Sequence, residues 1–319
     1  MNAAIAAALF LASLVATLTL GPPLIRMLRA RSVRQTAYED APKTHAVKTG
    51  TPTMGGLLFL PALLLALVVH YDVQSLALVL LGTACGAIGF LDDVLGIRGG
   101  RNRGLRARSK FLLTAAAAGM FLAVVANDPS FGFHGTILVV GSTRLEVPLW
   151  LWYALGLLAV TGTTHAVNLT DGLDGLAAGS VIPPLGVLAW IAARSGAPGV
   201  TAVDVAVAGS CLGFLWYNRH PAKVFMGDTG ALALGGILAG SAVLVGDHLL
   251  LLLIGGVFLI EALSVILQVA SYKTTHKRIL KMSPLHHHFE LSGWPEWTIT
   301  TRFWAASLVL SLVAVAVDR

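Results

Sequence analysis

The chain alternates long apolar runs with short polar segments, and the apolar runs set its architecture. Ten of them read as membrane-spanning helices: 3–22, 55–70, 75–91, 111–126, 149–166, 176–193, 201–217, 230–246, 249–270 and 302–317. A helix needs about 20 residues to cross the hydrocarbon of a bilayer. The expected fold class is therefore all-α and polytopic, a single transmembrane domain over 1–319. Polar stretches at 23–54, 92–110, 218–229 and 271–301, with a short segment at Asn168, interrupt the apolar runs. The connection 127–148 differs. Turn residues there flank Thr136-Ile-Leu-Val-Val140 and Arg144-Leu-Glu-Val147, the pattern of a small β-hairpin.

Composition strengthens the membrane reading. The chain is 56% hydrophobic and 12% charged, against about 25% charged in soluble domains. Its mean hydropathy is +0.78. Cys85 and Cys211 lie inside apolar runs, with neither ligand nor disulfide spacing. The net charge is +6, but no basic, aromatic-interleaved surface points to nucleic acid. The first apolar run starts almost at Met1 without a charged lead, so it reads as a span, not a cleaved signal peptide.

The placement of charge fixes the orientation. Of the 22 basic residues, all but Arg144, Arg194 and Arg319 fall in or beside the four polar stretches. With ten spans, those stretches and the Asn168 segment share one face. The positive-inside rule makes that face cytoplasmic and puts both termini outside, with the hairpin on the periplasmic side.

That same face carries the candidate chemistry. In Asn168-Leu-Thr-Asp171-Gly-Leu-Asp174-Gly-Leu176, two carboxylates stand three residues apart. On a helical turn they share one side, about 5–6 Å apart at their roots. Carboxylates beside lipid need a positive partner; the competing reading is a capping turn with solvated Asp. Asp92-Asp93 ends an apolar run, and hard carboxylate oxygens with phosphate to complete the shell suit magnesium; a solvated helix end is the plainer account. Asp228, in Phe225-Met-Gly-Asp228-Thr-Gly230, reads as a metal ligand or a helix cap.

His286-His287-His288 lies within Ser283-Pro-Leu-His-His-His-Phe-Glu290. Three consecutive histidines on one helix cannot all face one ion. Hydrogen bonding to phosphate suits them better than zinc, which wants Cys or further His nearby. Lys48, ahead of Gly50-Thr-Pro-Thr53-Met-Gly-Gly56, and Lys110 are point charges for phosphates. The arginines around them serve topology and anionic lipid. Glu261 and Gln268 share one face of the ninth run. An intramembrane Glu is a functional candidate or an interhelical hydrogen-bonding group. Carboxylates, His and Lys gathered at one membrane face imply phosphate chemistry on a lipid phosphate. A transporter would set its charges near the midplane in broken helices.

These motifs, in order along residues 48–297, resemble the polyprenyl-phosphate N-acetylhexosamine-1-phosphate transferases. Gly50 to Gly56, the unbroken His triplet and Phe289-Glu290 with Gly293-Trp294 are similar to the branch that takes a muramoyl-pentapeptide donor. The resemblance implies transfer of phospho-N-acetylmuramoyl-pentapeptide from UDP-MurNAc-pentapeptide to undecaprenyl phosphate, giving lipid I and UMP with Mg2+ required. It further implies a bacterial inner-membrane location and a homodimer. By resemblance, Asp228 is the metal ligand. Asp92 is the base or the nucleophile of a two-step scheme, supported by Asp93, and His287 is catalytic. Lys48, Thr53, Asn168, Asp171, Asp174, Phe225 and Gln268 line the nucleotide pocket, with Phe225 stacking on uracil. His287 and His288 contact pyrophosphate, and His286, Lys110 and Asn218 complete the substrate set. The rivals are a sister transferase using UDP-GlcNAc, which the His triplet disfavours, and a membrane transporter or flippase.

Overall fold

The computed structural model describes residues 1–31, 50–98, 104–128, 131, 137–140, 143–246 and 248–317. Its helices are α1 (Ala3–Ala30), α2 (Leu60–Val69, entered through a 3-10 turn Gly55–Phe59), α3 (Val73–Arg98), α4 (Ala107–Asn127), α5 (Leu149–Thr170) and α6 (Leu176–Arg194). They continue with α7 (Pro198–Asn218), α8 (Gly227–Leu244), α9 (Leu251–Ile254), α10 (Gly256–Thr275), α11 (Leu285–Glu290) and α12 (Glu296–Val317). Between α4 and α5, β1 (Ile137–Val140) and β2 (Thr143–Glu146) pair antiparallel, Ile137 opposite Glu146 and Val140 opposite Thr143.

Among the described residues, eight helices are long and apolar enough to cross a membrane: α1, α3, α4, α6, α7, α8, α10 and α12. The chain is therefore a multi-pass membrane protein. Two other expected spans are helical but weaker. Gly55–Val69 is apolar and short. α5 has 22 residues but carries Thr161, Thr163, Thr164 and His165 in its second half. The ninth expected span is not continuous: it breaks at Gly255 between α9 and α10.

α7 and α8 form the buried centre, enclosed over most of their length. α8 packs against α3 and α5, and α7 against α1, α6 and α2. Between helices in lipid, close packing and hydrogen bonds replace the hydrophobic drive. The small residues Gly235-Gly236 and Ala239-Gly240 give α8 that close packing. Thr17 Oγ1 meets Ser210 Oγ at 2.7 Å between α1 and α7. Ser307 Oγ donates to Ser180 O at 2.6 Å between α12 and α6. The outer helices expose apolar side chains such as Leu11, Val15, Leu308 and Leu312.

Candidate active site

The polar residues assemble at the helix ends where α3 finishes and α4, α8 and α12 begin. Asp92 and Asp93 lie before the end of their helix, not at it. α3 continues to Arg98, so both carboxylates stand on the helix itself. Asp93 reaches across to the start of α8. Its Oδ1 accepts the Asp228 N–H at 3.2 Å, and its Oδ2 accepts the Thr229 N–H at 3.0 Å and the Thr229 hydroxyl at 2.6 Å. The first N–H groups of a helix lack partners within it, so Asp93 caps α8 from a neighbouring helix. Asp228 thus does not cap its own helix, and its side chain is left for the site. The two helices come this close at Gly89, where a Cβ would lie 2.1 Å from the Asp228 carbonyl oxygen.

Lys110, in the first turn of α4, joins the carboxylates. Its ammonium contacts Asp228 Oδ2 and lies 3.1 Å from Asp92 Oδ1. Asp92 Oδ1 also accepts the Leu105 N–H at 2.9 Å. Asn168, near the end of α5, donates from Nδ2 to Asp228 Oδ1 at 2.8 Å. Asp228 therefore has one oxygen held by a neutral amide and the other by a cation. Asp92 and Asp228 are each about a fifth exposed or less, at 15% and 22%.

The segment after Asn168 turns toward a second group of side chains. Asp171 ends α5, and α6 begins only at Leu176. Asp171 and Asp174 therefore stand on a tight non-helical connection, not on one side of a helical turn. Asp174 is buried. Its Oδ2 accepts the Ala222 N–H at 3.0 Å and lies 3.1 Å from His220 Nδ1. Its own N–H donates to Glu296 Oε1 at 2.7 Å, and Glu296 Oε2 lies 3.3 Å from His220 Nδ1. Asn218 anchors the same connection, accepting the Gly175 N–H at 3.0 Å and donating to Val224 O at 2.9 Å. Beneath it, Leu173, Leu176 and Ile299 pack together with Phe289, Trp294 and Phe303. That small apolar cluster fixes α11 and the start of α12 against the connection.

The His triplet forms α11. His287 Nδ1 lies 3.0 Å from Glu290 Oε2, and His288 Nδ1 accepts the Lys281 N–H at 3.1 Å. Both are partly exposed. His286 differs from its expected role in binding substrate. It is fully buried, its Nδ1 lies 3.0 Å from Glu261 Oε2, and its ring abuts Gly172. Gln268 holds the chain between α10 and α11: Oε1 accepts the Ile279 and Leu280 N–H groups, and Nε2 donates to Leu280 O.

Phe225 pairs by its backbone with the 50s segment. Its N–H donates to Pro52 O and its carbonyl accepts the Gly55 N–H, each at 2.8 Å. Thr53 is buried there, its hydroxyl near the Gly227 backbone. Lys48 lies outside the described residues. The structure thus joins Asp92, Asp93, Lys110, Asn168 and Asp228 in one group. It sets Asp174 and Asn218 in a second, and links the His triplet through Gly172. Sequence reasoning missed His220 and Glu296. Neither sits in a run that singles it out, and Glu296 meets Asp174 from 122 positions away.

Two donor sets can hold a metal. Asp174, His220 and Glu296 bring ligand atoms within 4.8 Å of one another. Asp92 and Asp228 direct oxygens at one point, which Lys110 Nζ takes. Magnesium takes oxygen ligands, whereas imidazole suits transition metals. The all-oxygen pair is the better fit to magnesium.

Comparison with known proteins accords with this geometry. The glycosyl transferase family 4 profile matches residues 75–246. A phospho-N-acetylmuramoyl-pentapeptide-transferase signature matches residues 48–60. Curated relatives named phospho-N-acetylmuramoyl-pentapeptide-transferase are similar along nearly the whole chain. The one from Desulforamulus reducens is 45% identical, covering 94% of this chain and 92% of its own. That from Geobacillus kaustophilus is 44% identical, covering 96% and 95%. That from Heliobacterium modesticaldum is 46% identical, covering 96% and 95%. A match of this extent, over a chain whose carboxylates, lysine and histidines meet at one end of a helical bundle, places the protein in the phospho-N-acetylmuramoyl-pentapeptide transferase family.

Proposed function

We propose that the protein transfers phospho-N-acetylmuramoyl-pentapeptide from UDP-MurNAc-pentapeptide to undecaprenyl phosphate. An oxygen of the lipid phosphate attacks the β-phosphorus, the bond to the α-phosphate breaks, and lipid I and UMP are formed. The observation that carries this reading is the meeting of Asp92, Lys110 and Asn168 on Asp228 in a chain of this family. Two phosphate anions approach each other in such a reaction, so positive charge must stand between them. Lys110 supplies one charge. Asp228, with Asp92 beside it, would hold Mg2+, which would supply charge neutralisation for the pyrophosphate. Asp92 takes the proton of the lipid phosphate, and Asp93 holds the start of α8 so that Asp228 keeps its place. His288, whose Nδ1 accepts the Lys281 N–H, donates from Nε2 to a pyrophosphate oxygen, and His287, held by Glu290, does so as the imidazolium.

Lys48, Thr53, Asp171, Asp174, Asn218, Phe225 and Gln268 form the walls of the nucleotide pocket, Phe225 by stacking on the base. The basic residues put the site on the cytoplasmic face of the bacterial inner membrane. Both termini and the β1–β2 hairpin then lie on the periplasmic side. The bundle crosses ten times, with Gly55–Val69 and α5 as the two weaker spans, in one transmembrane domain. A homodimer completes the reading. UDP-GlcNAc is the disfavoured donor.

The test is UMP release by purified protein in detergent. The mixture holds undecaprenyl phosphate, Mg2+ and either UDP-MurNAc-pentapeptide or UDP-GlcNAc. UMP from the muramoyl donor alone, lost without Mg2+, is expected. UMP from UDP-GlcNAc overturns the donor assignment, and UMP from neither overturns the reaction.

A further inference from the structure

Glu261 and His286 form a pair that the reaction above leaves without a task. Glu261 stands on α10 and His286 on α11, and both are wholly buried. Glu261 Oε1 accepts the His286 backbone N–H at 3.1 Å, and Oε2 lies 3.0 Å from His286 Nδ1. A backbone amide can only donate, so Oε1 is committed as an acceptor. A carboxylate that accepts with both oxygens takes Nδ1–H with the other. In the neutral ring that leaves Nε2 as the bare nitrogen. It is buried with no hydrogen-bond partner among the described residues. It also faces the backbone of the catalytic connection, where a Cβ on Gly172 would lie 2.3 Å away. The ring centroid also lies 4.2 Å from that of His287. One carboxylate therefore sets the tautomer and angle of a ring wedged between α11 and the 168–175 connection.

We propose that Glu261 is a positioning residue for the transfer reaction. It locks His286 as the Nδ1–H tautomer, so that the ring packs on Gly172 and holds His287 and His288 in register with Asp228. The proposal rests on the transferase reading. A plain interhelical hydrogen bond would be served as well by glutamine, and this separates the two accounts. In Glu261→Gln, the amide oxygen stays on the His286 backbone N–H and the NH2 turns toward Nδ1. Two donors cannot face each other, so the ring proton moves to Nε2. There it is buried against Gly172 without an acceptor, an arrangement the site resists.

The experiment uses the full-length protein in nanodiscs with 15N-labelled histidine, the His286 signals being assigned by their loss in His286→Gln. Wild type is expected to carry the proton on Nδ1 and Glu261→Gln on Nε2. In the same variant, kcat for UMP release falls about 10- to 100-fold while KM for both substrates changes little. Gly172→Ala, which pushes the ring from the opposite side, lowers kcat in the same way. A wild-type proton on Nε2 overturns the proposal. So does an unchanged kcat in Glu261→Gln, or a loss matched by its unfolded fraction. If Glu261→Gln does not fold, the wild-type spectrum and Gly172→Ala decide. Absence of UMP from wild type would refute the transferase reading and leave the tautomer result standing.

Discussion

Two clusters share one short connection, and they are built differently. On the Asn168 side, among the described residues, Asp92 and Asp228 share the Lys110 ammonium, and the Leu105 and Asn168 amides donate to them. On the Asp174 side, a carboxylate receives a backbone N–H and a ring nitrogen, and an apolar cluster packs beneath. The first arrangement holds charge in place, since two carboxylates near one cation leave strong demand for positive charge. The second holds shape: its charges are tied to backbone, and its task is to keep a loop in position. One connection thus joins a reaction centre to a rigid wall.

The largest expected effect breaks the first cluster. Asp228→Asn keeps the volume and the Asn168 contact but removes the charge. UMP release should fall at least about 100- to 1,000-fold, the range for losing one preorganised electrostatic group. Thermal stability should hardly change. Activity within tenfold of wild type would mean that the charge of Asp228 is not what the site uses. Lys110→Met comes next. It leaves Asp92 and Asp228 facing each other with no fixed cation among the described residues, so the carboxylates repel. Activity should fall about 100-fold, and Mg2+ should raise the melting temperature more in this variant than in wild type. An equal Mg2+ effect in both would separate the metal from this carboxylate pair.

Asp174→Asn tests the second cluster. The amide oxygen still accepts the Ala222 N–H, but the charged contact to His220 is lost. A cost of about tenfold is expected, as for loss of a supporting contact. It should appear in KM for the nucleotide substrate, and the Mg2+ concentration for half-maximal activity should stay that of wild type. A shifted Mg2+ midpoint would make the Asp174, His220 and Glu296 set the metal site instead.

The sequence disclosed these clusters unevenly, for physical reasons. Apolar runs report membrane helices directly, so most spans were legible. The break at Gly255 was not, because apolar residues continue on both sides of it. Asp92, Asp174 and Asp228 were legible because a carboxylate near lipid needs a partner. Their partners were harder to see. Lys110 lay among arginines of similar appearance, and only the fold shows that, among the described residues, it is the cation that reaches Asp228. Asp93 was visible, but not its task, since capping another helix leaves no local pattern. Glu261 was singled out while its partner was assigned to substrate, because burial of His286 depends on how α11 packs. Motifs report which residues must meet something; packing decides what they meet.

The smallest effect tests whether the wall tolerates loosening. Ser307 and Ser180 join α12 to α6, the two helices that carry Glu296 and follow Asp174, through a 2.6 Å hydrogen bond. Such bonds within a membrane are worth about 0.6 kcal/mol, because the freed groups find other partners. Ser307→Ala removes the donor and leaves a void smaller than a methyl group. The melting temperature should drop by on the order of 1–2 °C. UMP release and both KM values should remain those of wild type, because Asp174 and Glu296 are fixed locally by backbone N–H groups, and His220 by those two carboxylates, rather than by the spacing of α6 and α12. A rise in KM for the nucleotide substrate comparable to that of Asp174→Asn would show the opposite: the wall would draw its precision from the whole helix pair, and the contrast between the two clusters would be one of degree.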